Sequence, residues 1–438
     1  MKNDTRASVF DFYGMPKLSQ ALPLALQHVV AMIVGCVTPA IIVSNSAELD
    51  ADEKVILIQA SLVFSALSTF LMLFPVKLSK RTQIGAGLPV IVGVSFSYVL
   101  SMQAIAESYS ISAILGAQIV GGLIAVAVGL FIDKIRKFFP PLIAGTVVFT
   151  IGLSLYPTAI NYMAGGTGNA GYGSWQNWLV SGFTLFTVII LNHFSKGFIK
   201  LSSILIAMFC GYILSFFFGM ISFDAVAEAA VFAPPRPLFF GIEFEPSSCV
   251  AIGTLFAVNS IQAIGDFSAT TVGAMDRVPT DKELKGAIIG YGVANIFSAF
   301  FGGLPTATYS QNLGIVTSTK VINRCVLGLA GALILAAGLS PKFSALLSTI
   351  PYAVLGGATV SVFASIAMTG IKLVMSENPS ARDTSIVGLA AALGMGISQA
   401  SGSLSGFPDW VMTVFGKSPV VIATVVAIIL NMSLPKEE

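Results

Sequence analysis

Residues 85–97, GAGLPVIVGVSFS, and residues 302–312, GGLPTATYSQN, are the two stretches that decide the fold. Each combines Gly and Pro with β-branched or polar residues, which disfavour a helix. Each also lies in an apolar segment, where extended backbone is tolerated only inside protein or beside a cavity. If each extended piece leads into a half-helix, two helix N-termini meet near the membrane midplane and present N–H donors to a ligand. The alternative is a pair of Pro-kinked helices that bind nothing.

The two stretches belong to an internal repeat. Gly87-Leu88-Pro89 recurs as Gly303-Leu304-Pro305, an offset of 304 − 88 = 216 residues. A second echo pairs PLIAGTV at 141–147 with PYAVLGGATV at 351–360, an offset of 351 − 141 = 210. With seven spans per half, an odd number, the two halves have opposite topology. Such inverted repeats are typical of secondary transporters.

The composition is that of a membrane protein. Hydrophobic residues make up 55% of the 438 residues and charged residues 10%, whereas soluble domains are about 25% charged. This excludes a soluble enzyme, a disordered chain and a disulfide scaffold. At about 20 apolar residues per helix, hydropathy predicts fourteen spans, near 22–43, 55–75, 84–105, 109–131, 138–157, 177–194, 199–219, 248–272, 284–303, 304–318, 323–340, 343–371, 383–401 and 411–432.

The Lys and Arg residues predict the orientation. With both termini inside, 19 of the 23 cations face the cytoplasm, which is the bias that orients membrane proteins. The cytoplasmic set is Lys2, Arg6, Lys17, Lys77, Lys80, Arg81, Lys134, Arg136, Lys137, Lys196, Lys200, Arg277, Lys282, Lys285, Lys320, Arg324, Lys372, Arg382 and Lys436. The outer set is Lys54, Arg236, Lys342 and Lys417. Asp4 and Asp11 before the first apolar run argue against a cleavable signal peptide.

Polar residues at membrane depth are the candidate functional groups. Gln262 and Asp266 follow Asn259 at i+3 and i+7, on one face of the eighth span. Asp266 is a candidate proton or cation group, because desolvation disfavours the charged form of a buried carboxylate. The alternative is that it bonds a neighbouring helix. His28 in the first span is either a structural group or a proton carrier.

Gln311 lies where the tenth span breaks. Its amide offers both a donor and an acceptor and can pair with the N–H/C=O edge of an oxidised purine or a pyrimidine; the alternative is that it satisfies broken backbone. Phe96 can stack on a flat ring. No HExxH, GxSxG or Walker pattern occurs, so the sequence predicts neither an enzyme nor an ATP-driven pump. The four scattered cysteines lack metal spacing, a net charge of +2 does not point to nucleic acid, and we expect no cofactor.

The segment QNLGIVTSTK, 311–320, resembles the signature of the nucleobase–ascorbate transporters, also called xanthine/uracil permeases. That signature is Gln/Glu-Asn-x-Gly-x4-Thr-Arg/Lys. This sequence also resembles the family at three other landmarks. These landmarks are Gln27-His28, Ser95-Phe96 and Gly265-Asp266. In addition, Pro140-Pro141 and residues 197–201 resemble the bacterial xanthine and urate permease branch. The resemblance covers essentially the whole chain.

The resemblance implies an all-α membrane protein with about fourteen segments in two inverted repeats of seven, and short extended pieces in segments 3 and 10. Residues 1–438 then form one transporter unit, with a substrate-carrying core (22–131 and 248–340) and a gate (138–219 and 343–432). It implies elevator-like import of a purine base such as xanthine or urate by a homodimer in the inner (plasma) membrane.

The resemblance also implies residue roles. Substrate contacts fall on Gln311, Gln262, Phe96, Ser95 and Ser310. Residues that shape the tenth-span break are Asn312, Gly314 and Thr319. Two positions depart from the family pattern: Gln262 replaces a usual Glu, and Tyr291 a usual Asp in the ninth span. Asp266 and His28 remain as candidates for coupling to a proton or to sodium, and facilitated exchange is a further alternative.

Three functions are possible for a chain of this composition. A purine transporter fits the residues best, with uracil or another base as an alternative. A small-anion transporter of the same architecture needs cationic help at the site, and spans 3, 8 and 10 carry no Lys or Arg at membrane depth. An intramembrane enzyme needs a nucleophile–base pair or a carboxylate cluster, which a single buried Asp does not supply.

Overall fold

The computed structural model of the chain describes residues 8–79, 82–132, 140–169, 171–376, 378–400, 402–408, 411–416 and 418–435. Nine of the cations assigned above lie outside these ranges, namely Lys2, Arg6, Lys80, Arg81, Lys134, Arg136, Lys137, Lys417 and Lys436. The side chain of Ser310, a predicted substrate contact, also lies outside the description.

The first half of the chain is helical, with short extended pieces around its third predicted span. A capping box begins the second helix, because Asp50 and Glu53 each accept the backbone N–H of the other, at 2.8 and 3.1 Å. The helices are α1 (Leu18–Ser46), α2 (Ala51–Leu73), α3 (Val99–Ser108), α4 (Ile111–Leu130), α5 (Pro141–Ser154), α6 (Tyr156–Met163), α7 (Trp175–Phe194), α8 (Gly197–Leu201), α9 (Ser203–Phe217) and α10 (Asp224–Glu228). The extended pieces are β1 (Val76–Lys77), β2 (Gln83–Ile84) and β3 (Val92–Val94), and a 3-10 turn spans Phe96–Tyr98.

The second half repeats this order. Its second long helix also begins with a capping box, formed by Thr280 and Glu283. The elements are α11 (Pro246–Met275), α12 (Asp281–Ala299), β4 (Thr306–Thr308), α13 (Ser310–Thr319), α14 (Arg324–Gly338), α15 (Pro341–Ser348), α16 (Tyr352–Met375), α17 (Ala381–Gln399), a π-helical turn (Met412–Gly416) and α18 (Pro419–Ser433).

The helices pack into two bundles. In the first bundle, α11 and α12 pack on α4, and α14 packs on α1 and α2. In the second bundle, α16 packs on α5, α6 and α7, while α17 packs on α18 and α5. Glycine lets α5 and α16 approach closely, since a Cβ at Gly370 would lie 2.2 Å from the backbone nitrogen of Phe149.

The elements at the predicted spans fall into four groups by length and composition. Among the described residues, seven helices are long and apolar enough to cross a bilayer, or eight when the bent pair α14–α15 counts as one span. Spans 3 and 10 are broken by strands, as predicted, and α9 and α18 are apolar but only 15 residues long. Helices α12 and α17 have 19 residues each and carry charged side chains in their first turns.

Predicted spans near the C-terminal end of the chain are also divided between two elements. Residues 343–371 are divided between α15 and α16, and α15 packs against α2 of the first bundle. Residues 411–432 are divided between the π-helical turn and α18. Proline explains both breaks, because Pro351 immediately precedes α16 and Pro419 begins α18, and a proline in a helix interior removes a backbone donor.

Candidate functional site

The two broken spans meet as a pair of antiparallel strands. β3 pairs with β4 in the register Val92↔Thr308, Gly93↔Ala307 and Val94↔Thr306. Two further backbone bonds extend the pairing, from Ser95 N–H to Pro305 O and from Tyr309 N–H to Ile91 O, both at 3.0 Å. Each strand then leads into a short helix, so the predicted extended pieces and half-helices are confirmed.

A side chain from a neighbouring helix satisfies the outer edge of each strand. The Thr69 hydroxyl of α2 donates to Val92 O at 2.9 Å and accepts from Val92 N–H at 3.1 Å. Asn295 of α12 does the same for Thr306, which donates its N–H to Asn295 Oδ1 at 2.8 Å. Buried extended backbone is therefore paired on both edges, as a membrane interior requires.

Gly93 is required where the two strands cross. A Cβ built on Gly93 would lie 2.2 Å from the Tyr309 ring and 2.7 Å from Cys36 Sγ. The ring cannot easily move away, because the Tyr309 hydroxyl donates to Val94 O at 2.6 Å and the residue is buried. The absence of a side chain at residue 93 thus allows the strand pair to form.

We expect Gly93→Ala to destabilise the folded protein by about 1–3 kcal/mol, the usual range for overpacking a core. The measurement is the thermal unfolding temperature of the purified protein in detergent. Gly388→Ala is the matched control, because nothing lies within 4 Å of a Cβ there. A Gly93→Ala protein as stable as this control would contradict the steric argument.

A cavity of about 140 Å³ lies between the strand pair and the second bundle. The first bundle contributes the strands, the 3-10 turn, α11 and α13, and the second bundle contributes α5 and α16. None of the described lining residues carries a charge. They are Gly93, Val94, Ser95, Phe96, Ser97, Val148, Ile151, Gln262, Ala307, Thr308, Tyr309, Gln311, Ser365, Ile366 and Thr369.

Two carboxamides face this cavity without a hydrogen-bond partner among the described residues. The Oε1 atom of Gln262 is buried and accepts no hydrogen bond within the described part of the chain. Gln311, in the first turn of α13, likewise has no hydrogen bond to any described residue. A buried acceptor left unpaired costs about 1–3 kcal/mol. The pair is therefore prepared for a ligand that supplies N–H and C=O groups.

Ser95 and Phe96 form one wall of the cavity. The Ser95 hydroxyl caps the 3-10 turn by accepting the N–H of Ser97 at 3.2 Å. The Phe96 ring is 6% exposed and makes an edge contact with Phe363 of α16, with ring centroids 5.2 Å apart. Phe96 thus faces the cavity and also packs across the boundary between the bundles.

Asp266 does not line the cavity but is one hydrogen bond away from it. The hydroxyl of Thr308, a lining residue on β4, donates to the Asp266 carboxylate. Asp266 is half-buried on α11, one helical turn after Gln262. A change in the charge of Asp266 would therefore act on the cavity through Thr308.

His28 and Asn312 bind each other away from the cavity. The Asn312 amide donates to His28 Nδ1 and to His28 O, both at 3.1 Å, and both residues are buried. With Nδ1 as acceptor, the proton of a neutral ring lies on Nε2. This contact joins α13 to α1 and supports the structural reading of His28.

The remaining signature residues fix the end of α13. The Thr319 hydroxyl donates to Ile315 O at 2.7 Å, and Lys320, with φ of 58°, ends the helix. The Lys320 ammonium donates to Gly273 O at 2.7 Å at the C-terminal end of α11. A cation is favourable there because of the helix dipole. Gly314 is exposed with open space around it, so the structure gives no steric reason for a glycine.

Tyr291, where the family pattern has an acid, is buried beside the 3-10 turn. Its hydroxyl shares a hydrogen bond with the hydroxyl of Tyr98, and its ring stacks on Phe256 at 5.4 Å. This position therefore joins α12 to the 3-10 turn that follows β3, and it does not line the cavity.

Sequence reasoning missed several lining residues. Thr308 and Tyr309 lie within residues 302–312, and their closeness in sequence to Gln311 is the signal that marks them. On the second bundle, no motif marks the lining residues, which are Val148, Ile151, Ser365, Ile366 and Thr369.

Comparisons with known proteins identify the family. A profile described as the permease family matches residues 19–402. The chain is 32% identical over 417 residues to the xanthine permease of Bacillus subtilis (strain 168), covering 94% of this chain and 93% of that protein. It is 34% identical over 417 residues to the uric acid permease PucJ of the same organism, covering 93% of this chain and 91% of that protein.

The fold is also that of a solved transporter domain. The transmembrane domain of the cyanobacterial bicarbonate transporter BicA aligns with a TM-score of 0.61 at 16% identity, covering 93% of this chain and 98% of that chain. This likeness confirms the fold class predicted from the repeat and from the family resemblance, a helical membrane protein of two inverted halves with a core and a gate. The signature at 311–320, the paired broken spans and the match over residues 19–402 lead to one conclusion: the chain is an integral membrane protein of the xanthine/uracil permease family.

Proposed function

We propose that this protein is a secondary transporter that imports a purine base such as xanthine or urate across the plasma membrane. The observation that carries the proposal is the pair of unpartnered carboxamides, Gln262 and Gln311, at one cavity. Xanthine and urate are flat rings bordered by N–H and C=O groups. Two relatives, a xanthine permease and a uric acid permease, support the same class of substrate.

Each amide can address one edge of a purine. The unpaired Gln262 Oε1 accepts a ring N–H, and the amide of Gln311 offers a donor and an acceptor to a second edge. Phe96 supplies an apolar surface for the ring. Because no charged side chain is among the described lining residues, recognition rests on hydrogen bonds and packing.

Transport by this arrangement would be an elevator-like motion of the first bundle. The strand pair, α11 and α13 belong to that bundle, so a base held by Gln262 and Gln311 travels with it. The core comprises 22–131 and 248–340. We place the start of the second gate segment at Tyr352 rather than at residue 343, because α15 packs against α2.

Asp266 is the group we propose for cation coupling. Its carboxylate accepts a hydrogen bond from the hydroxyl of Thr308, which lines the cavity. Protonation or sodium binding at Asp266 would therefore change this hydrogen bond. When a proton or a sodium ion neutralises Asp266, the bundle that holds the base moves without an uncompensated charge at this residue. An uncompensated charge inside the membrane is costly.

Uptake by intact cells tests the substrate class. We expect cells that lack their own purine permeases and express this protein to accumulate radiolabelled xanthine or urate. Unlabelled purines should compete, and uracil and bicarbonate should compete weakly. Bicarbonate is included because of the fold shared with BicA. Accumulation of labelled bicarbonate without accumulation of either purine would replace the purine proposal with an anion transporter.

A further inference from the structure

A second polar cavity lies at the opposite end of the first bundle from the α14–α15 bend. It measures about 340 Å³ and forms where α2 ends, beside the paired strands β1 and β2, and where α12 and α14 begin. Its polar lining includes Tyr13, Lys77, Gln83, Thr280, Glu283 and Arg324. It shares no lining residue with the cavity of Gln262 and Gln311, and it is not explained by the family signature at 311–320.

Arg324 presents an uncompensated positive charge to this cavity. It is the first residue of α14, where the helix dipole opposes a cation. Its guanidinium lies 4.4 Å from the ring centroid of Phe74 and 5.4 Å from that of Tyr13. Within the described ranges it forms no ion pair and no side-chain hydrogen bond. Aromatic rings therefore hold the group in place while its N–H donors stay available.

The nearby acids do not neutralise this charge. Glu283 accepts two bonds from Arg277, at 2.6 and 2.9 Å, and two from Thr280. Burial opposes the ionisation of Glu283, but the bonds from Arg277 and Thr280 outweigh it and hold the pKa of the carboxyl below its usual range. Asp11 accepts the N–H of Ser8 at 2.8 Å within its own loop. Both carboxylates are thus already bound.

The N-terminal segment fixes the aromatic rings around Arg324. The Asn323 amide donates to Asp11 O at 2.7 Å and to Gly14 O at 3.2 Å, and Arg324 N–H donates to Phe12 O at 3.3 Å. These bonds anchor the loop that carries Phe12 and Tyr13. The cavity wall is therefore a built structure that positions the guanidinium.

The hairpin gives the cavity an apolar neighbour. In the pairing of β1 with β2, Lys77 faces Gln83 and Val76 faces Ile84. Lys77 and Gln83 line the polar cavity, whereas Val76 and Ile84 line an apolar groove of about 600 Å³ between α2 and α12. Lys77 forms no ion pair with a described residue. Arg324 and Lys77, neither of which forms an ion pair with a described residue, thus lie next to an apolar groove that can hold an acyl chain.

We propose that this cavity binds the phosphate group of an anionic phospholipid, with Arg324 and Lys77 as its cationic partners and the α2–α12 groove receiving an acyl chain. A guanidinium and an ammonium are the groups that bind phosphate in proteins. Free phosphate shares the headgroup chemistry but cannot use the groove. The proposal does not depend on which substrate the protein transports.

The test is the unfolding temperature of the purified full-length protein in neutral detergent. Phosphatidylglycerol, phosphatidylcholine, inorganic phosphate and chloride are compared at equal ionic strength, on wild type, Lys77→Gln and Arg324→Gln. Lys342→Gln is the matched control, because Lys342 is exposed and lines neither cavity. Lys77→Gln leaves the aromatic contacts of Arg324 intact and so remains informative if Arg324→Gln fails to fold.

We expect phosphatidylglycerol to stabilise wild type more than phosphatidylcholine does. Lys77→Gln should lower the apparent affinity for phosphatidylglycerol about fivefold, the effect of one cation at an anionic membrane surface, and Lys342→Gln should not. Protection by inorganic phosphate equal to that by phosphatidylglycerol would overturn the lipid assignment in favour of free phosphate. Equal protection of all variants, or none by either ligand, would overturn the site.

Discussion

Replacing Gln311 by Ala should raise the apparent KM for purine uptake by roughly tenfold or more. The amide lies at the cavity and has no partner among the described residues, so its N–H donors and its carbonyl acceptor can bind the substrate. Losing them costs on the order of 1–3 kcal/mol, because the matching group on the base is left unpaired in a buried site. The measurement is the concentration dependence of initial uptake, normalised to the amount of protein in the membrane.

Two further variants sharpen the Gln311 experiment. Gln311→Glu keeps the acceptors but removes the N–H donor, so its effect shows whether the base needs a donor at this position. Gln103→Ala is the matched control, because Gln103 is another part-buried glutamine but donates to Ser46 at 3.0 Å outside the cavity. An unchanged KM in Gln311→Ala would remove this residue from the site.

The sequence predicts the break points of the fold because glycine and proline act locally. Residues 85–97 and 302–312 disfavour a helix by their own composition, and both contain short strands in the structure. The sequence does not predict which residues of the two halves are structurally equivalent. The sequence echo gives an offset of 216 residues, whereas β3 and β4 begin 306 − 92 = 214 residues apart. Pro89 precedes its strand by three residues and Pro305 by one, so the motif and the strand are not in the same register.

The two sides of the cavity differ in how far the sequence predicts them. Gln262 and Gln311 are polar residues in apolar spans, so the cost of burying them marks them as candidates. Ser365 and Thr369 lie on α16 without such contrast, because hydroxyls can bond to their own helix, as Thr369 does with Ser365 O at 2.8 Å. Their place at the cavity depends on packing between distant parts of the chain, which local patterns do not encode.

Tyr291 illustrates a substitution whose consequence only the structure explains. The sequence marks it as the loss of an ionisable group. In the structure, Tyr291 and Tyr98 share a buried hydroxyl contact and Phe256 covers both rings. A tyrosine pair therefore fills the space beside the 3-10 turn. Of the acids that the family pattern places near the site, Asp266 is the one this chain retains.

Replacing Asp266 by Asn should abolish accumulation of the base against a gradient while leaving exchange. Asn has the same shape and can still accept the Thr308 hydroxyl through its Oδ1 atom, so the strand that carries Thr308 keeps its position. Asn cannot bind a proton in exchange for its charge, and it is a weaker ligand for a cation. The substrate site should therefore survive, and the energy coupling should not.

Proteoliposomes separate these two properties. Counterflow of labelled base reports exchange, and net uptake under an imposed proton or sodium gradient reports coupling. We expect Asp266→Asn to retain counterflow and to lose net accumulation under both gradients. Glu107→Gln is the matched control, because Glu107 is an exposed acid near the end of α3 that does not line the cavity. Uptake by wild type driven by sodium at constant pH would identify sodium as the coupled ion. If Asp266→Asn still concentrates the base as wild type does, Asp266 is not the coupling group, and the bond to Thr308 serves only to hold β4 against α11.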